Sequence, residues 1–360
     1  MHENTRIKAL GLRKALNALA EVSMQEARTR AYIEKFLRGN TSLEIHIEDG
    51  WLWAMHREAN ADKTIAFRAD FDAVATGETA AAHLCGHDGH AAALCAFALE
   101  MEGKIYGKNI CLIFQHAEET GQGGAVCAEL IDRIKIDEVY GCHSLPGYPF
   151  GAICLKKGSF ACASRGLIIR MQGKSAHAAY PENGRNPAPA LCELAVRLAE
   201  FTNAAYDGMV MATLIGIRCG QKAFGMAASD GEIYLTLRAH LNRDLDALEN
   251  RIIAFCREKA EKGGFGLAYE HIDAFPGTEN DDRCTEKLEK AAQAAGYHLH
   301  TLQEPMRWSE DFGWYLMKCP GAYFGVGAGE DYPALHTPEF EYRDELIEYT
   351  VTMFEKIAEL

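Results

Sequence analysis

At 360 residues the chain exceeds the roughly 250–300 at which a single hydrophobic core stops growing, so two domains are expected. Its net charge of −14, with no Lys/Arg cluster, excludes unspecific attachment to phosphate backbones and argues against a nucleic-acid partner. Twelve cysteines without a Cys-x-x-Cys pair exclude a disulfide framework and a structural zinc ribbon. No apolar stretch approaches a membrane span and the start, Met1-His2-Glu3-Asn4, is unlike a signal peptide, so no membrane association and a cytoplasmic location are expected.

Apolar recurrence at helical spacing over residues 5–37 predicts one or two helices, and alternation predicts strands at 43–47 and 51–55 around Asp49-Gly50. Short apolar runs then end on polar residues at Thr64–Asp70, Asn109–Gln115 and Glu138–His143, with helical patterns at about 89–102 and 122–133 between them. This alternation predicts an α/β unit with a mostly parallel sheet. From 163 to 275 the order becomes strand (166–171), helix (187–205), strand (209–218), strand (232–241), helix (245–262), strand (267–272). That order is the ferredoxin-like split unit, an inserted α+β domain. Helix 284–295, strand 322–326 and helix 345–360 return to the first pattern. Residues 1–162 and 276–360 are thus assigned to one domain and 163–275 to the insert.

Polar residues at the carboxyl ends of parallel strands converge on one crevice. There lie Asp70 and Asp72, the pair Glu118-Glu119, and His143; the segment Leu84-Cys85-Gly86-His87-Asp88-Gly89-His90 leads into a helix between these runs, and His336 sits in a glycine-rich loop after a later strand. Thiolate, imidazole and carboxylate are ligands of divalent transition metals. In an extended segment Cys85 and His87 would point to one side, ahead of a helix starting near His90. Of the adjacent glutamates, one can bind metal while its neighbour accepts a proton from water. Asp72 and His90 are candidates for orienting the ligands. His177, in the insert, is a candidate donor to a developing oxyanion. Read singly, each of these residues has a plain structural explanation; their joint placement favours a site.

The ordered set Arg68-Ala69-Asp70-Phe71-Asp72, Cys85-Gly86-His87-Asp88-Gly89-His90, Phe114-Gln115-His116-Ala117-Glu118-Glu119, Gly141-Cys142-His143, His177-Ala178-Ala179, Ser309-Glu310-Asp311-Phe312 and Leu335-His336-Thr337-Pro338 resembles the M20 metallopeptidases. The closest branch is the amidohydrolases of N-acyl amino acids, hippurate and auxin conjugates. The resemblance implies a zinc-peptidase-like catalytic domain with an inserted lid or dimerisation domain, and a homodimer through that insert. It implies two divalent ions per subunit, zinc or manganese first and nickel or cobalt as alternatives, held by Cys85, His87, Glu119, His143 and His336, with Cys85 the bridge. It assigns the general base to Glu118, a lid-domain role to His177 that in relatives serves the partner's active site, and a substrate carboxylate clamp to Arg238; a solvated strand arginine is the equal alternative for Arg238.

Three positions depart from the pattern: the stretch from Asp72 to Cys85 is short, His116 replaces a proline, and Phe224-Gly225-Met226-Ala227-Ala228 lacks an asparagine found in many members. The expected reaction is hydrolysis of the amide bond of an N-acyl amino acid or small peptide-like substrate by a metal-activated water. A metallo-dipeptidase or aminopeptidase, a non-catalytic metal-binding relative, and a hydrolase using Cys85 as nucleophile are the alternatives.

Overall fold

Seven buried residues in a row, Thr64–Asp70, make the centre of an eight-stranded sheet in the computed structural model, which describes residues 1–77 and 80–360. The strand order is Glu44–Ile47, Leu52–His56, Asn109–Gln115, Thr64–Asp70, Glu138–Pro146, Gly321–Gly329, Ile153–Leu155, Leu299–Thr301. The four central strands, from Asn109–Gln115 to Gly321–Gly329, are mutually parallel, and antiparallel neighbours flank them. Strands buried on both faces need no polar alternation, which is why these read as continuous apolar runs.

The chain divides into two compact units. One holds Met1–Phe160, Thr278–Met306 and Glu310–Leu360; the other holds Ala161–Gly277 and Arg307–Ser309. In the first, the helix His87–Glu100 is buried nearly all round because it packs against the helices Glu3–Leu19 and Leu346–Glu359 and the strand Thr64–Asp70. Phe67, Phe97 and Phe354 meet there with ring centroids 4.8 to 5.7 Å apart. The second unit is a four-stranded antiparallel sheet in the order Val210–Cys219, Asp230–Ala239, Ala163–Gln172, Gly266–Phe275. Two helices, Ala188–Thr202 and Asn242–Gly263, contribute Leu191, Leu194, Leu248 and Ile252 to its core. This is the ferredoxin-like arrangement expected from the element order.

Local differences from the sequence reading have physical causes. The one or two helices expected over residues 5–37 are two, Glu3–Leu19 and Ala27–Asn40, in agreement with that reading. The stretch at 122–133 is two short pieces, Gly123–Cys127 and Glu129–Ile134. The helix expected near His90 starts at His87, because Gly86 turns the chain with φ of 89°; only glycine adopts that value freely. Cys85 and His87 therefore do not share an extended segment, and the bend at Gly86 brings them to one place. Within the shortened Asp72–Cys85 stretch, Glu78 and Thr79 lie outside the described residues. No helix among the described residues is long and apolar enough to cross a membrane.

Gly89 tests the packing of this helix. Alanine within a helix normally gains up to about 1 kcal/mol over glycine, but a Cβ at Gly89, in the first turn, would stand 2.2 Å from ring carbons of buried Tyr342. Overpacking of that kind costs about 1–3 kcal/mol or more, so Gly89→Ala is expected to lower the urea midpoint. A variant as stable as the parent would contradict the close approach.

Candidate metal centre

The parallel strands deliver their side chains to one end of the sheet. Asp70 ends its strand and Asp72 follows two residues on; Glu118 and Glu119 follow the strand Asn109–Gln115; His143 lies in the second half of the strand Glu138–Pro146. His336 sits in the left-handed region, with φ of 62°. Its backbone N–H donates to Leu84 O at 2.8 Å, fastening its loop to the segment before Cys85.

The five residues expected to hold metal come together. Cys85 Sγ lies 3.4 Å from His143 Nε2. His87 Nε2 stands 3.8 Å from Glu118 Oε2 and 3.8 Å from Glu119 Oε1, and His336 Nε2 is 3.5 Å from Glu119 Oε2. Two trios of donor atoms, Cys85/His87/His143 and Cys85/Glu119/His336, each fall within 4.8 Å of one another, with Cys85 common to both.

Hydrogen bonds fix which ring nitrogens face inward. His87 Nδ1 donates to Asp72 Oδ1 at 2.9 Å, and His143 Nδ1 donates to Ser144 O at 2.7 Å, which turns each Nε2 toward the centre. Asp72 is itself held by Ser23 Oγ at 2.7 Å and by the Glu119 backbone N–H at 3.0 Å. His90 is spent at both nitrogens: Nδ1 on Asp70 Oδ1 at 2.7 Å, and Nε2 accepting the Ser144 N–H at 3.2 Å. Its ring thus orients neighbours and has no nitrogen left for a metal.

The electrostatics call for a cation. Burial alone would lower the His87 pKa, yet Asp70, Asp72 and Glu119 hold it up to about 10. Burial, with Glu310, Asp311 and Glu119, pushes the Glu118 carboxyl well above the carboxylate range. His87 Nε2 and Glu119 Oε1 are buried without a hydrogen-bond partner. Such orphans are costly. A divalent ion between a thiol, imidazoles and a carboxylate satisfies both atoms and offsets the acidic field, so the donor set fits the metals expected from the sequence.

Residues with no assigned role in the sequence reading support this centre from below. Arg68, 1% exposed in mid-strand, donates to Asp70 Oδ2 at 2.5 Å, Gln115 Oε1 at 2.8 Å and Asp311 Oδ1 at 2.6 Å, and pairs with Glu310 Oε1 at 3.1 Å. Tyr323 OH donates to Glu310 Oε2 at 2.5 Å, and Tyr315 OH to Gln115 Oε1 at 2.9 Å. The carboxyls of Glu118, Glu310 and Asp311 lie together within 4.8 Å. The signal in the sequence is an arginine inside an otherwise apolar strand. His116, in the place of a proline, turns toward Cys127 Sγ at 3.9 Å.

Ala117, just before the two glutamates, is also left-handed, with φ of 50°, a conformation costing a residue with Cβ about 1–2 kcal/mol. Its N–H donates to Glu26 Oε1 at 2.8 Å. Burial first, and Asp72 second, raise the Glu26 pKa to about 7. The folded chain therefore holds a proton there that the unfolded chain releases near pH 4.5, and stability falls as pH rises from about 4.5 to about 7. Glu26→Gln keeps the acceptor and cannot ionise. It is expected to unfold at higher urea than the parent at pH 8, by about 1–3 kcal/mol, with the difference gone below pH ~4.5. Lower stability of the variant at pH 8 would contradict this assignment.

His177 and Arg238 lie in the second unit, at opposite ends of its sheet. The register runs from Gln172 opposite Asp230 to Ser164 opposite Arg238, a span of about 27 Å at 3.3–3.4 Å per residue. Gly173 N–H donates to Ser229 O at 2.6 Å, which keeps the His177 segment at the Asp230 end. Arg238 Nη1 donates to Arg307 O at 2.5 Å and Ser309 Oγ at 2.7 Å, beside the places where the chain enters and leaves the unit. His177 is exposed, and its Nδ1 accepts the Ala179 N–H at 3.1 Å, so Nε2 carries the proton.

Comparison with known proteins gives a consistent result. The chain is 26% identical over 376 residues to the N-acetyldiaminopimelate deacetylase of Priestia megaterium (100% of this chain, 99% of the relative). It is 24% identical over 368 residues to the enzyme of the same name from Exiguobacterium sibiricum (96% and 97%). The fold superposes with a TM-score of 0.82, at 21% identity and covering 99% of this chain and 98% of the other, on the YXEP protein of Bacillus subtilis, described as a dinuclear metal binding peptidase from the M20 family. Residues 66–360 match the model of peptidase family M20/M25/M40, and the chain belongs to that family of hydrolases.

Proposed function

We propose that this chain is a divalent-metal-dependent amidohydrolase that cleaves the amide C–N bond of an N-acyl amino acid or a small peptide-like substrate. The observation that carries this reading is the buried Glu118 carboxylate 3.8 Å from the inward nitrogen of His87, beside five donors that share Cys85 between two trios. A protein that only stores metal has no use for that extra acid. The deacetylases among the relatives act on an N-acyl group by name, which favours the acyl side of the M20 repertoire.

In this reading Cys85, His87, Glu119, His143 and His336 hold two divalent ions, zinc or manganese foremost and nickel or cobalt as alternatives. Such ions, when bound, polarise the substrate carbonyl and bring the pKa of water toward about 7. Glu118 takes the proton of the attacking water and passes it to the departing amine, so that one carboxyl serves as base and then as acid. Asp72 and His90 hold the imidazoles and the Asp70 carboxylate in place. Arg238 is the candidate for a substrate carboxylate, although Nη1 is committed to the Arg307–Ser309 segment.

The end of the sheet that carries the His177 segment lies about 27 Å along the strands from Arg238, more than a small substrate spans. The two therefore serve one substrate only if His177 comes from a second copy, donating from Nε2 to the oxyanion. An exposed edge strand, Val210–Cys219, bearing Met211, Leu214, Ile215 and Ile217, supports a homodimer through this unit. Twelve unbridged cysteines suit the cytoplasm.

Glu118→Gln is expected to lower kcat about 10²–10⁴-fold while metal content, read by plasma emission spectrometry, stays at the parent level. Undiminished turnover would remove Glu118 from the mechanism. Protein stripped by chelator and reloaded with single metals is expected to release amine from N-acyl amino acids. Activity confined to free dipeptides would mark a peptidase instead, and activity unaffected by chelation would contradict the metal reading.

A further inference from the structure

Residues 223–228 read Ala-Phe-Gly-Met-Ala-Ala, six apolar residues in succession, and Ala223 to Met226 are exposed. Phe224 is 91% exposed and Met226 61%. Exposed loops are ordinarily polar, and an exposed apolar run of this length is unfavourable unless something covers it. The run is not loose. Ala178 N–H donates to Gly225 O at 2.9 Å, Ala227 N–H donates to Ala176 O at 2.9 Å, and His177 pairs with Met226 across this short ladder. The opposing segment, Ala176-His177-Ala178-Ala179-Tyr180, is apolar except for His177, and the Tyr180 ring, 60% exposed, lies 6.1 Å from the imidazole. His177 is thus a proton donor set in an apolar surface patch that is tied to it by backbone hydrogen bonds.

Resting on the role of His177 given above, we propose that Phe224 and Met226, with Tyr180, form the wall that receives the acyl group of the substrate, and that this hydrolase prefers bulky apolar acyl groups. The geometry commits the patch to that part of the substrate. Wherever His177 meets the carbonyl oxygen, the side chains laddered to it come with it, next to the carbon that carries the acyl substituent. A charged or hydroxylated acyl group would lose its water against this patch without gaining a hydrogen bond from Phe224, Met226 or the alanines. A benzoyl or branched aliphatic group would bury the exposed rings and thioether.

The test compares N-benzoyl and N-acetyl derivatives of the same amino acid, hydrolysed by the metal-loaded full chain and by Phe224→Ala and Met226→Ala. The expected result is a loss of roughly tenfold or more in kcat/KM for the benzoyl substrate, less than about twofold for the acetyl substrate, and an unchanged mass by light scattering. Equal losses on both substrates, no loss on either, or a fall in mass that accounts for the loss would overturn the assignment, the last by making the patch a contact between copies. If the parent hydrolyses neither substrate, the amidohydrolase reading itself fails; if it hydrolyses both and the variants do not discriminate, only the acyl wall fails.

Discussion

One buried guanidinium organises the catalytic unit. Arg68 sits in the central strand and reaches three carboxyls, Asp70, Glu310 and Asp311, as well as Gln115. Removing one partner from such a buried group leaves an uncompensated charge, at a cost of about 3–5 kcal/mol. Arg68 thereby ties its own strand to two segments distant in sequence, at Gln115 and at Glu310–Asp311. Through Asp70 it sets His90, and through His90 the Ser144 backbone beside His143. Through Glu310 and Asp311 it places two more carboxyls beside Glu118. The strand order makes this possible, because Thr64–Asp70 lies between the strand that leads to Glu118 and the strand that carries His143.

The face that carries the candidate metal ligands follows from that support. Asp72 and the Ser144 carbonyl hold the rings of His87 and His143, so both Nε2 atoms point inward. Left-handed turns at Gly86, Ala117 and His336 bring the remaining donors in. A surplus of acid is then concentrated where Nε2 of His87 and Oε1 of Glu119 lack partners. The buried acidic groups around these donors favour a divalent cation, a physical reason independent of any likeness to other proteins.

Much of this was legible in the sequence because chemistry-bearing residue types fell at the ends of apolar runs. Glu118, Glu119 and His143 announce themselves in that way, Cys85 and His87 by their spacing ahead of a helix, and the strand-helix order of the insert read directly as a ferredoxin-like sheet. The residues that escaped did so for definite reasons. Arg68 is one charge in an apolar run, and its partners Glu310 and Asp311 lie more than two hundred positions away. Glu26 precedes an amphipathic helix, where a carboxylate looks like a solvated cap, but it is 3% exposed and holds Ala117. The edge strands Ile153–Leu155 and Leu299–Thr301 have three residues each, too few to show a period. The helix start was misplaced by three residues because a glycine turn was read as extended chain.

The central claim is that Cys85 and the three histidines form one metal-binding centre with Glu119. Zinc X-ray absorption on reconstituted protein tests it most directly. A sulfur scatterer at about 2.3 Å together with imidazole nitrogens at about 2.0–2.1 Å, and loss of the sulfur shell alone in Cys85→Ser, is the expected result. A zinc environment built wholly of oxygen and nitrogen in the parent protein would contradict it.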